Sequence, residues 1–309
     1  MGLDFNAIKM LLWGKNLGVS FEKTATLGRQ GVGCPVKLVH RALHDFGLPG
    51  SHEEIDRCFY CAPMQSLFAD DFFRFLGAKE VVSVDYSDFE GATLLHDLNT
   101  RFPENERGRF DLVIDGGTLE HIFDFPSALR NAMELVRPGG HFLVLTGVQN
   151  FLGHGFYQFS PELFFRVFSA ENGFAVRKMV LYDFLKTDAD FFEVHDPAVT
   201  GFRTQLLSGK AMGLAVLAQR IADQPILVKP PFQSDYVTDW ERSRQAANST
   251  PAAPGLIRRL RIKLNPYWPH WLRRWKFNMV HRRQYGLPKL SNHRHFRRLK
   301  REEIFNERA

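Results

Sequence analysis

The chain has 309 residues, of which 44% are hydrophobic and 24% are charged, which is the composition of an ordinary soluble globular protein. No apolar run approaches the ~20 residues that a membrane-spanning helix needs, and the first residues lack the apolar core of a signal peptide, so we expect a cytoplasmic protein. Three cysteines (Cys34, Cys58 and Cys61) argue against a disulfide framework. The Cys58–Cys61 spacing lacks the second ligand pair of a zinc site, so we expect ordinary thiols and predict no metal site.

Charge is unevenly distributed along the chain. Residues 256–309 contain 16 Lys and Arg but only three Asp and Glu, a net charge of +13, whereas the remainder carries −7. Residues 223–255 are rich in proline and small polar residues, which is typical of a linker. We therefore predict a main domain over 1–222, a linker over 223–255 and a basic extension over 256–309.

The first third of the chain alternates helices with strands. A mildly amphipathic helix over 5–18 is expected to cover one edge of a sheet. A short strand from Lys23 runs into a glycine-rich loop that ends at Gly33, and a helix over 36–46 follows. Glycines let a backbone approach a ligand and a helix N-terminus offers free N–H groups, so this order suits a nucleotide-type cofactor. Next we predict an irregular insertion over 47–66, a helix over 67–76, a strand over 79–85 and a short strand over 92–99.

The stretch over 110–122 organises the rest of the chain. Its apolar, partly β-branched run Leu112-Val113-Ile114 is typical of a buried central strand. Gly116 and Gly117 break that strand and leave Asp115 at its carboxyl end, the edge at which open α/β sheets bind ligands. A helix over 127–136, a Pro-Gly-Gly turn over 138–140 and a strand over 141–146 complete a parallel crossover unit.

The last predicted elements of the main domain are a helix over 163–168, with Pro161 at its start, and two apolar strands over 174–185 and 212–219. These strands form an antiparallel hairpin, and the polar connection between them (186–210) could cap the active site. The fold class is thus α/β: a Rossmann-like doubly wound sheet, mostly parallel with a terminal antiparallel hairpin, plus a basic C-terminal helical extension.

Three pieces of sequence, in this order and spacing, resemble the second half of the class I S-adenosylmethionine-dependent methyltransferase fold. They are Asp115, the segment Leu119-Glu120-His121 and the run Arg137-Pro-Gly-Gly-His141. The resemblance spans about residues 20–220 and implies S-adenosyl-L-methionine as the cofactor. The three runs over 96–99, 115–121 and 153–162 together resemble a bacterial group of this superfamily that accompanies surface-glycan assembly enzymes. The acceptor that we predict is a hydroxyl, or a similar nucleophile, of a small molecule or glycan.

The candidate cofactor-binding residues follow the strand ends. Asp85 closes the second strand, where an acid accepts hydrogen bonds from both ribose hydroxyls, and Tyr86 could lie against the adenine. The resemblance implies that Asp97 holds the adenine amino group and that Leu98 packs on the ring. The first glycine loop departs from the family, since Thr26 stands where an acid is usual, and Arg29 is left without an explanation. The remaining candidates are Gly28, Arg29, Gly31, Asp115 and Gly116.

The candidate catalytic residues are His121, His154 and Glu120. Histidine titrates near neutral pH and can take a proton from an acceptor hydroxyl. Each has a structural alternative: His121 could cap the following helix or shape the pocket, His154 could stabilise its loop, and Glu120 is more often structural in this superfamily.

Two other functions remain open on the sequence alone. The irregular glycine loop suits a non-catalytic binding or scaffold protein with the same fold. Asp85 would also suit the ribose of a dinucleotide, as in a nicotinamide-dependent oxidoreductase. The sequence lacks both a Gly-x-Gly-x-x-Gly loop and a Tyr-x-x-x-Lys pair, and that function leaves Asp115 without a role.

The basic extension contains apolar residues at helical spacing, interleaved with Arg273, Arg274 and Lys276. The apolar residues are Trp268, Trp271, Leu272, Trp275 and Met279. Such a helix could pack its apolar stripe on the acidic main domain, or bind the anionic inner face of a membrane as a peripheral protein. Nucleic acid is the least favoured partner, because no nucleic-acid motif accompanies the basic residues.

Overall fold

A computed structural model describes residues 2–48, 50–59, 68–247, 269–285 and 287–308. The chain divides into two compact units, the larger over 1–194, 208–231 and 298–309, and the smaller over 195–207 and 232–297. These boundaries differ from the predicted partition at 222 and 255. Among the described residues, no helix has both the length and the apolar character to cross a membrane.

The larger unit is built on a mixed sheet. Its strands are β1 (Lys23–Leu27), β2 (Glu80–Asp85), β3 (Leu94–Leu95), β4 (Phe110–Asp115), β5 (Val136–Gln149), β6 (Phe174–Asp183), β7 (Phe192–Val194) and β8 (Met212–Arg220). They lie in the order β3-β2-β1-β4-β5-β8-β6-β7. The pairs from β3 to β5 are parallel, while β8 is antiparallel to both β5 and β6. The predicted doubly wound sheet with a terminal antiparallel hairpin is confirmed.

The helices of the larger unit connect these strands and cover the sheet. They are α1 (Phe5–Asn16), α2 (Val36–Asp45), α3 (His52–Phe59), α4 (Asp70–Phe75), α5 (Phe125–Leu135), α6 (Pro161–Val167) and, near the C-terminus, α10 (Arg301–Phe305). Proline stands in the first turn of α6, as predicted. Two predictions need correction. The irregular insertion over 47–66 contains α3, and the polar connection over 186–210 contains β7 and the short helix α7 (Pro197–Thr200).

Helix α1 lies inside the larger unit and does not cover a sheet edge. Ten of its twelve residues are buried, and it packs against α2 and β8, an interior strand. The Asp4 carboxylate caps the helix by accepting a hydrogen bond from the Ala7 N–H at 2.7 Å. Lys9, which is 5% exposed, pairs with Asp188 at 3.0 Å. Because this ion pair compensates the charge of Lys9, the helix can be buried on nearly every side although it carries a cation.

The last residues of the chain belong to the larger unit and complete its core. The Phe305 ring packs edge-to-face on Phe46, with 4.8 Å between the ring centroids. The Glu307 carboxylate accepts a hydrogen bond from the Trp13 indole at 3.1 Å and pairs with Lys178 at 2.6 Å. The predicted basic extension over 256–309 is therefore not one separate segment, because its last turn of helix carries apolar side chains that the core buries.

The Pro-Gly-Gly segment differs from the predicted turn. Helix α5 ends at Leu135, and Pro138 to Gly140 form a bulge inside β5, where its pairing with β4 shifts register. Arg137 anchors the bulge through an ion pair with Asp111 at 2.6 Å. The backbones approach so closely that a Cβ on Gly140 would lie 2.8 Å from the Asp111 carbonyl oxygen and 3.0 Å from that of Phe110. Gly140 is thus required by the close approach of two backbones.

Gly140→Ala is expected to lower the free energy of unfolding by about 1–3 kcal/mol, because the added methyl group meets backbone atoms that cannot move aside. Urea unfolding followed by circular dichroism measures the change. Gly209→Ala is the matched control, since its Cβ would meet no heavy atom within 4 Å. Equal unfolding midpoints for the two variants would contradict the role given to Gly140.

The smaller unit contains α7, α8 (Ser234–Ala247) and α9 (His270–Tyr285), and the short strand β9 (Phe296–Arg298) runs across its boundary. Arg203 pairs with Asp235, and the Tyr236 and Trp240 rings stack at 6.1 Å. Helix α8 falls within the predicted linker over 223–255, which is therefore partly helical. Residues 248–255 of that linker, together with Cys61 and Trp268, lie outside the described residues.

Helix α9 confirms part of the helix predicted in the basic extension. Trp271, Trp275 and Met279 are 67%, 57% and 46% exposed. Packing of this apolar stripe on the main domain stays a prediction. Peripheral contact with an anionic membrane stays a prediction.

Candidate active site

The register of the sheet brings the predicted acids to one edge. Leu27, the last residue of β1, lies opposite Val84 of β2 on one side and Asp115 of β4 on the other. Asp85 follows Val84 directly. Asp97 comes two residues after β3, which pairs with the end of β2. The carboxyl ends of four neighbouring strands thus place Asp85, Asp97 and Asp115 along one rim, as the sequence predicts.

Gly28 lies between the two central strand ends. Its φ of +68° is in the left-handed region that favours glycine. A Cβ here would be 3.1 Å from the Thr118 hydroxyl and 3.8 Å from the Asp85 Oδ2 atom. The Thr118 hydroxyl donates to the Leu27 carbonyl at 2.7 Å and fixes the loop after β4 against the end of β1. A glycine at position 28 keeps the space beside the Asp85 carboxylate open.

The other residues of the glycine loop make contacts within the protein. Arg29 pairs with Asp70 at 3.2 Å, donates to the Glu90 carbonyl at 2.9 Å and lies over the Phe68 ring. The Gly31 carbonyl accepts a hydrogen bond from the Leu3 N–H at 2.7 Å. These contacts explain Arg29 as a bridge between loops. Cofactor binding by Arg29 and Gly31 stays a prediction.

Gln30 is a site residue that the sequence analysis missed. It is 3% exposed, and its amide nitrogen donates to the Leu27 carbonyl at 2.7 Å. Its Oε1 atom lies only 2.0 Å from where a Cβ of Gly116 would stand, so the glycine makes room for this side chain. Among the described residues, that oxygen has no hydrogen-bond partner. The departure from the family's glycine pattern was the available signal, since a long polar residue there must lie at the strand ends.

The residues predicted to hold adenosine differ in their surroundings. The Asp85 Oδ1 atom accepts hydrogen bonds from the N–H groups of Tyr86 at 2.7 Å and Ser87 at 3.4 Å. The Tyr86 side chain is 78% exposed, whereas Leu98 is 4% exposed and packs in the core. Asp97 is bound by Asn99, whose hydrogen bonds hold the pKa of that carboxyl below its ordinary value. The roles of Tyr86, Asp97 and Leu98 toward adenine stay predictions.

Asp115 is completely buried at the end of β4. Its Oδ1 atom accepts hydrogen bonds from the N–H groups of Thr118 at 2.8 Å and Leu119 at 3.3 Å. Its Oδ2 atom has no hydrogen-bond partner among the described residues. Burial, followed by repulsion from Glu120, raises the pKa of Asp115 to about 8. Asp115 and Glu120 are thus two neighbouring buried carboxyl groups, each with an oxygen that accepts no hydrogen bond of ordinary geometry. Such a pair favours a ligand that brings positive charge.

The three predicted catalytic residues lie together. A 3₁₀ turn over Leu119–His121 follows the loop after β4, and the segment after β5 returns to it. There the Phe156 N–H donates to the Glu120 carbonyl at 2.7 Å, and the tight approach requires Gly155, which has a φ of +70°. The return places His154 Nε2 3.6 Å from Glu120 Oε1. The His121 and His154 rings meet edge-to-face at 4.7 Å.

The electrostatics of this cluster follow from its unequal burial. Glu120 is 1% exposed, and burial raises the pKa of its carboxyl group. Burial, followed by the charge of His154, lowers the pKa of His121. This direction favours the neutral imidazole of His121, which can accept a proton or a metal ion. Two exposed rings, Phe123 and Phe156, meet edge-to-face at 6.0 Å beside the cluster.

A large cavity lies elsewhere in the larger unit. It has a volume of about 840 Å³ and is lined by Arg101, Arg107, Arg130 and Arg220. Gly108, which precedes β4, and Pro138 of the β5 bulge place it toward the opposite edge of the sheet. Its arginines already contact the protein: Arg107 pairs with Glu134 and Arg220 with Asp223. We therefore place the candidate active site at the carboxyl edge, where the acids and histidines converge.

No protein-family model matches the sequence, and neither does any curated protein. Similar solved structures include 1,6-didemethyltoxoflavin-N1-methyltransferase from Burkholderia thailandensis with S-adenosylhomocysteine (14% identity, 71% of this chain, 78% of that chain, TM-score 0.38). A 16S rRNA (adenine(1408)-N(1))-methyltransferase from Catenulisporales acidiphilia shares 12% identity over 72% of this chain and 95% of that chain (TM-score 0.32). The branched-chain polyamine synthase from Thermus thermophilus, with 5'-methylthioadenosine, shares 15% identity over 75% of this chain and 60% of that chain (TM-score 0.34).

Proposed function

We propose that this protein is an S-adenosyl-L-methionine-dependent methyltransferase that acts on a hydroxyl, or a similar nucleophile, of a small molecule or glycan. The observation that supports this most is the grouping of Asp85, Gly28 and buried Asp115 at the ends of adjacent parallel strands. A carboxylate for a ribose, an open backbone beside it and an uncompensated acid next to both suit a cationic nucleoside cofactor.

The residues at this edge have distinct parts in binding. S-Adenosyl-L-methionine supplies an electrophilic methyl group when it is bound. Asp85 would accept hydrogen bonds from the ribose hydroxyls through its Oδ2 atom, which faces Gly28. Asp115 would face the cationic end of the cofactor, whose positive charge would lower the raised pKa of this carboxyl and favour its ionised form; its Oδ2 atom has no hydrogen-bond partner among the described residues. Gly28 leaves the space beside Asp85 free of a side chain of its own, whereas Gly116 leaves the space that the Gln30 side chain fills.

The acceptor would lie beside the Glu120, His121 and His154 cluster. Methyl transfer from a sulfonium is an in-line displacement, so the protein mainly positions the nucleophile and takes a proton from it. The imidazole of His121 or His154 can take that proton, and buried Glu120 can hold His154 in orientation across 3.6 Å. The exposed Phe123 and Phe156 rings offer apolar surface for a sugar or a small ring compound.

Calorimetric titration with S-adenosylhomocysteine tests the proposal and separates it from the two alternatives. We expect saturable one-to-one binding and no comparable affinity for NADH. Lack of binding to S-adenosylhomocysteine would reject the methyltransferase function, and tight NADH binding would favour an oxidoreductase. A scaffold protein would bind S-adenosylhomocysteine. When mixed with candidate acceptors and methyl-labelled S-adenosyl-L-methionine, however, it would transfer no label to any acceptor. An enzyme would give product that decreases in the His121→Ala and His154→Ala variants.

A further inference from the structure

Glu120, His121 and His154 bring three potential metal ligands to one place. One carboxylate oxygen and one nitrogen from each imidazole all lie within 4.8 Å of one another. Two imidazoles and one carboxylate form a donor set that suits Zn²⁺ and related first-row divalent ions. Mg²⁺, which prefers oxygen ligands and retains its water, is a poorer match for two nitrogens.

A second observation points to a cation at the same place. Glu120 is 1% exposed, and its carboxylate faces the Thr146 hydroxyl and His154 without a hydrogen bond of ordinary geometry to any described residue. His154 Nε2, the atom that faces Glu120 Oε1, also lacks a hydrogen bond there. A buried carboxylate without hydrogen bonds is costly, and coordination to a metal ion is one of the few ways to compensate for it.

The geometry is compatible with an ion after small side-chain movements. Ligand atoms about 2.0–2.1 Å from a tetrahedral Zn²⁺ are about 3.4 Å apart, so the widest separation must shorten by an ångström or so. His121 is exposed and His154 is half-buried, and both can rotate toward Glu120. The backbone at Glu120 is held in place, because its carbonyl accepts a hydrogen bond from the Phe156 N–H. The backbone thus already positions the three residues.

We propose that Glu120, His121 and His154 bind a divalent transition-metal ion of the Zn²⁺ type and leave a coordination position open for the acceptor hydroxyl. The role in catalysis rests on the proposed methyltransferase function, whereas metal binding does not. With the ion bound, both histidines would act as ligands and the ion would replace them in activating the acceptor: a hydroxyl bound to it would lose its proton to solvent more readily than a free hydroxyl. The oxygen would then form the new C–O bond as the C–S bond breaks, and the sulfur would leave as a neutral thioether.

Calorimetric titration of tag-free protein, after removal of adventitious metal by EDTA and dialysis, tests the site directly. We expect one Zn²⁺ per chain and much weaker binding of Mg²⁺. Each of Glu120→Gln, His121→Ala and His154→Ala is expected to weaken Zn²⁺ binding by at least about tenfold. His44→Ala is the matched control, because the His44 side chain is 90% exposed on α2 and should leave the affinity unchanged.

Two further readouts keep the outcome unambiguous. Co²⁺ added to the unmodified protein should give visible absorption as intense as that of tetrahedral or five-coordinate Co²⁺. This measurement uses no variant, so it does not depend on whether a variant folds. Titration of the same samples with S-adenosylhomocysteine separates the two proposals. Binding of that ligand without Zn²⁺ binding would overturn the metal site and leave the methyltransferase function standing. Zn²⁺ affinity that is equal in the His154→Ala and His44→Ala variants would also overturn the metal site.

Discussion

Asp85→Ala is expected to weaken S-adenosylhomocysteine binding by about 100-fold or more. Two ribose hydroxyls donating to one carboxylate make two hydrogen bonds to a charged group, each contributing about 1.5–3 kcal/mol. The substitution also removes the carboxylate that accepts hydrogen bonds from the N–H groups of Tyr86 and Ser87, so the loop after β2 loses its local support. Calorimetric titration of the purified variant measures the change in affinity.

Asp88→Ala provides the comparison for that measurement. Asp88 is an exposed acid three residues further along the same loop, and its removal changes the net charge equally. We expect its affinity for S-adenosylhomocysteine to stay within about twofold of the unmodified protein, since a distant exposed charge is screened by salt. If the two variants bound equally well, Asp85 would not be a ribose ligand.

Trp13→Ala is expected to lower the free energy of unfolding of the larger unit by about 3–5 kcal/mol. Trp13 is 1% exposed, and its indole N–H donates to Glu307 at 3.1 Å. Lys178 lies over its ring at 5.1 Å, and Phe191 stacks at 6.4 Å. The substitution leaves a large cavity and detaches the C-terminal residues from α1. Urea unfolding followed by circular dichroism gives the difference.

Phe89→Ala is the control for the loss of a large aromatic side chain in the same unit. Phe89 is 92% exposed, and we expect its removal to change the free energy of unfolding by less than about 0.5 kcal/mol. A Trp13→Ala variant as stable as Phe89→Ala would mean that α1 and the C-terminal residues do not share one core.

The sequence predicted the elements whose signals are local. Leu112 to Ile114 are apolar and partly β-branched, and the following glycines mark the strand end, so β4 and its terminal acid were placed correctly. The ends of β2 and β4 could be related because parallel strands share one carboxyl edge. In the region of α3, Pro49 and Gly50 suggested an irregular segment. The acids in the first turn of α3 were the missed signal.

Other features depend on contacts between distant parts of the chain. The burial of α1 follows from Lys9 finding Asp188, which lies 179 residues away, and no periodicity within the helix reveals that partner. Similarly, the last residues were grouped with a basic extension because charge dominates their composition. Phe305 and Glu307 nevertheless join the core through Phe46, Trp13 and Lys178.

The candidate active site shows the same division. His121 and His154 were proposed separately, 33 residues apart, and the hydrogen bond from Phe156 to the Glu120 carbonyl is what brings them together. Arg29 and Gln30 could not be assigned from the sequence, because their directions depend on Asp70 and Gly116 in other elements.

A crystal structure with S-adenosylhomocysteine tests the central claim most directly. We expect the adenosine at the carboxyl edge of the sheet, with both ribose hydroxyls donating hydrogen bonds to the Asp85 carboxylate. The ligand should lie over the backbone of Gly28. The amino acid end should lie toward Asp115. A ligand bound at the arginine-lined cavity on the opposite edge, or an Asp85 carboxylate without contact to the ribose, would contradict the account.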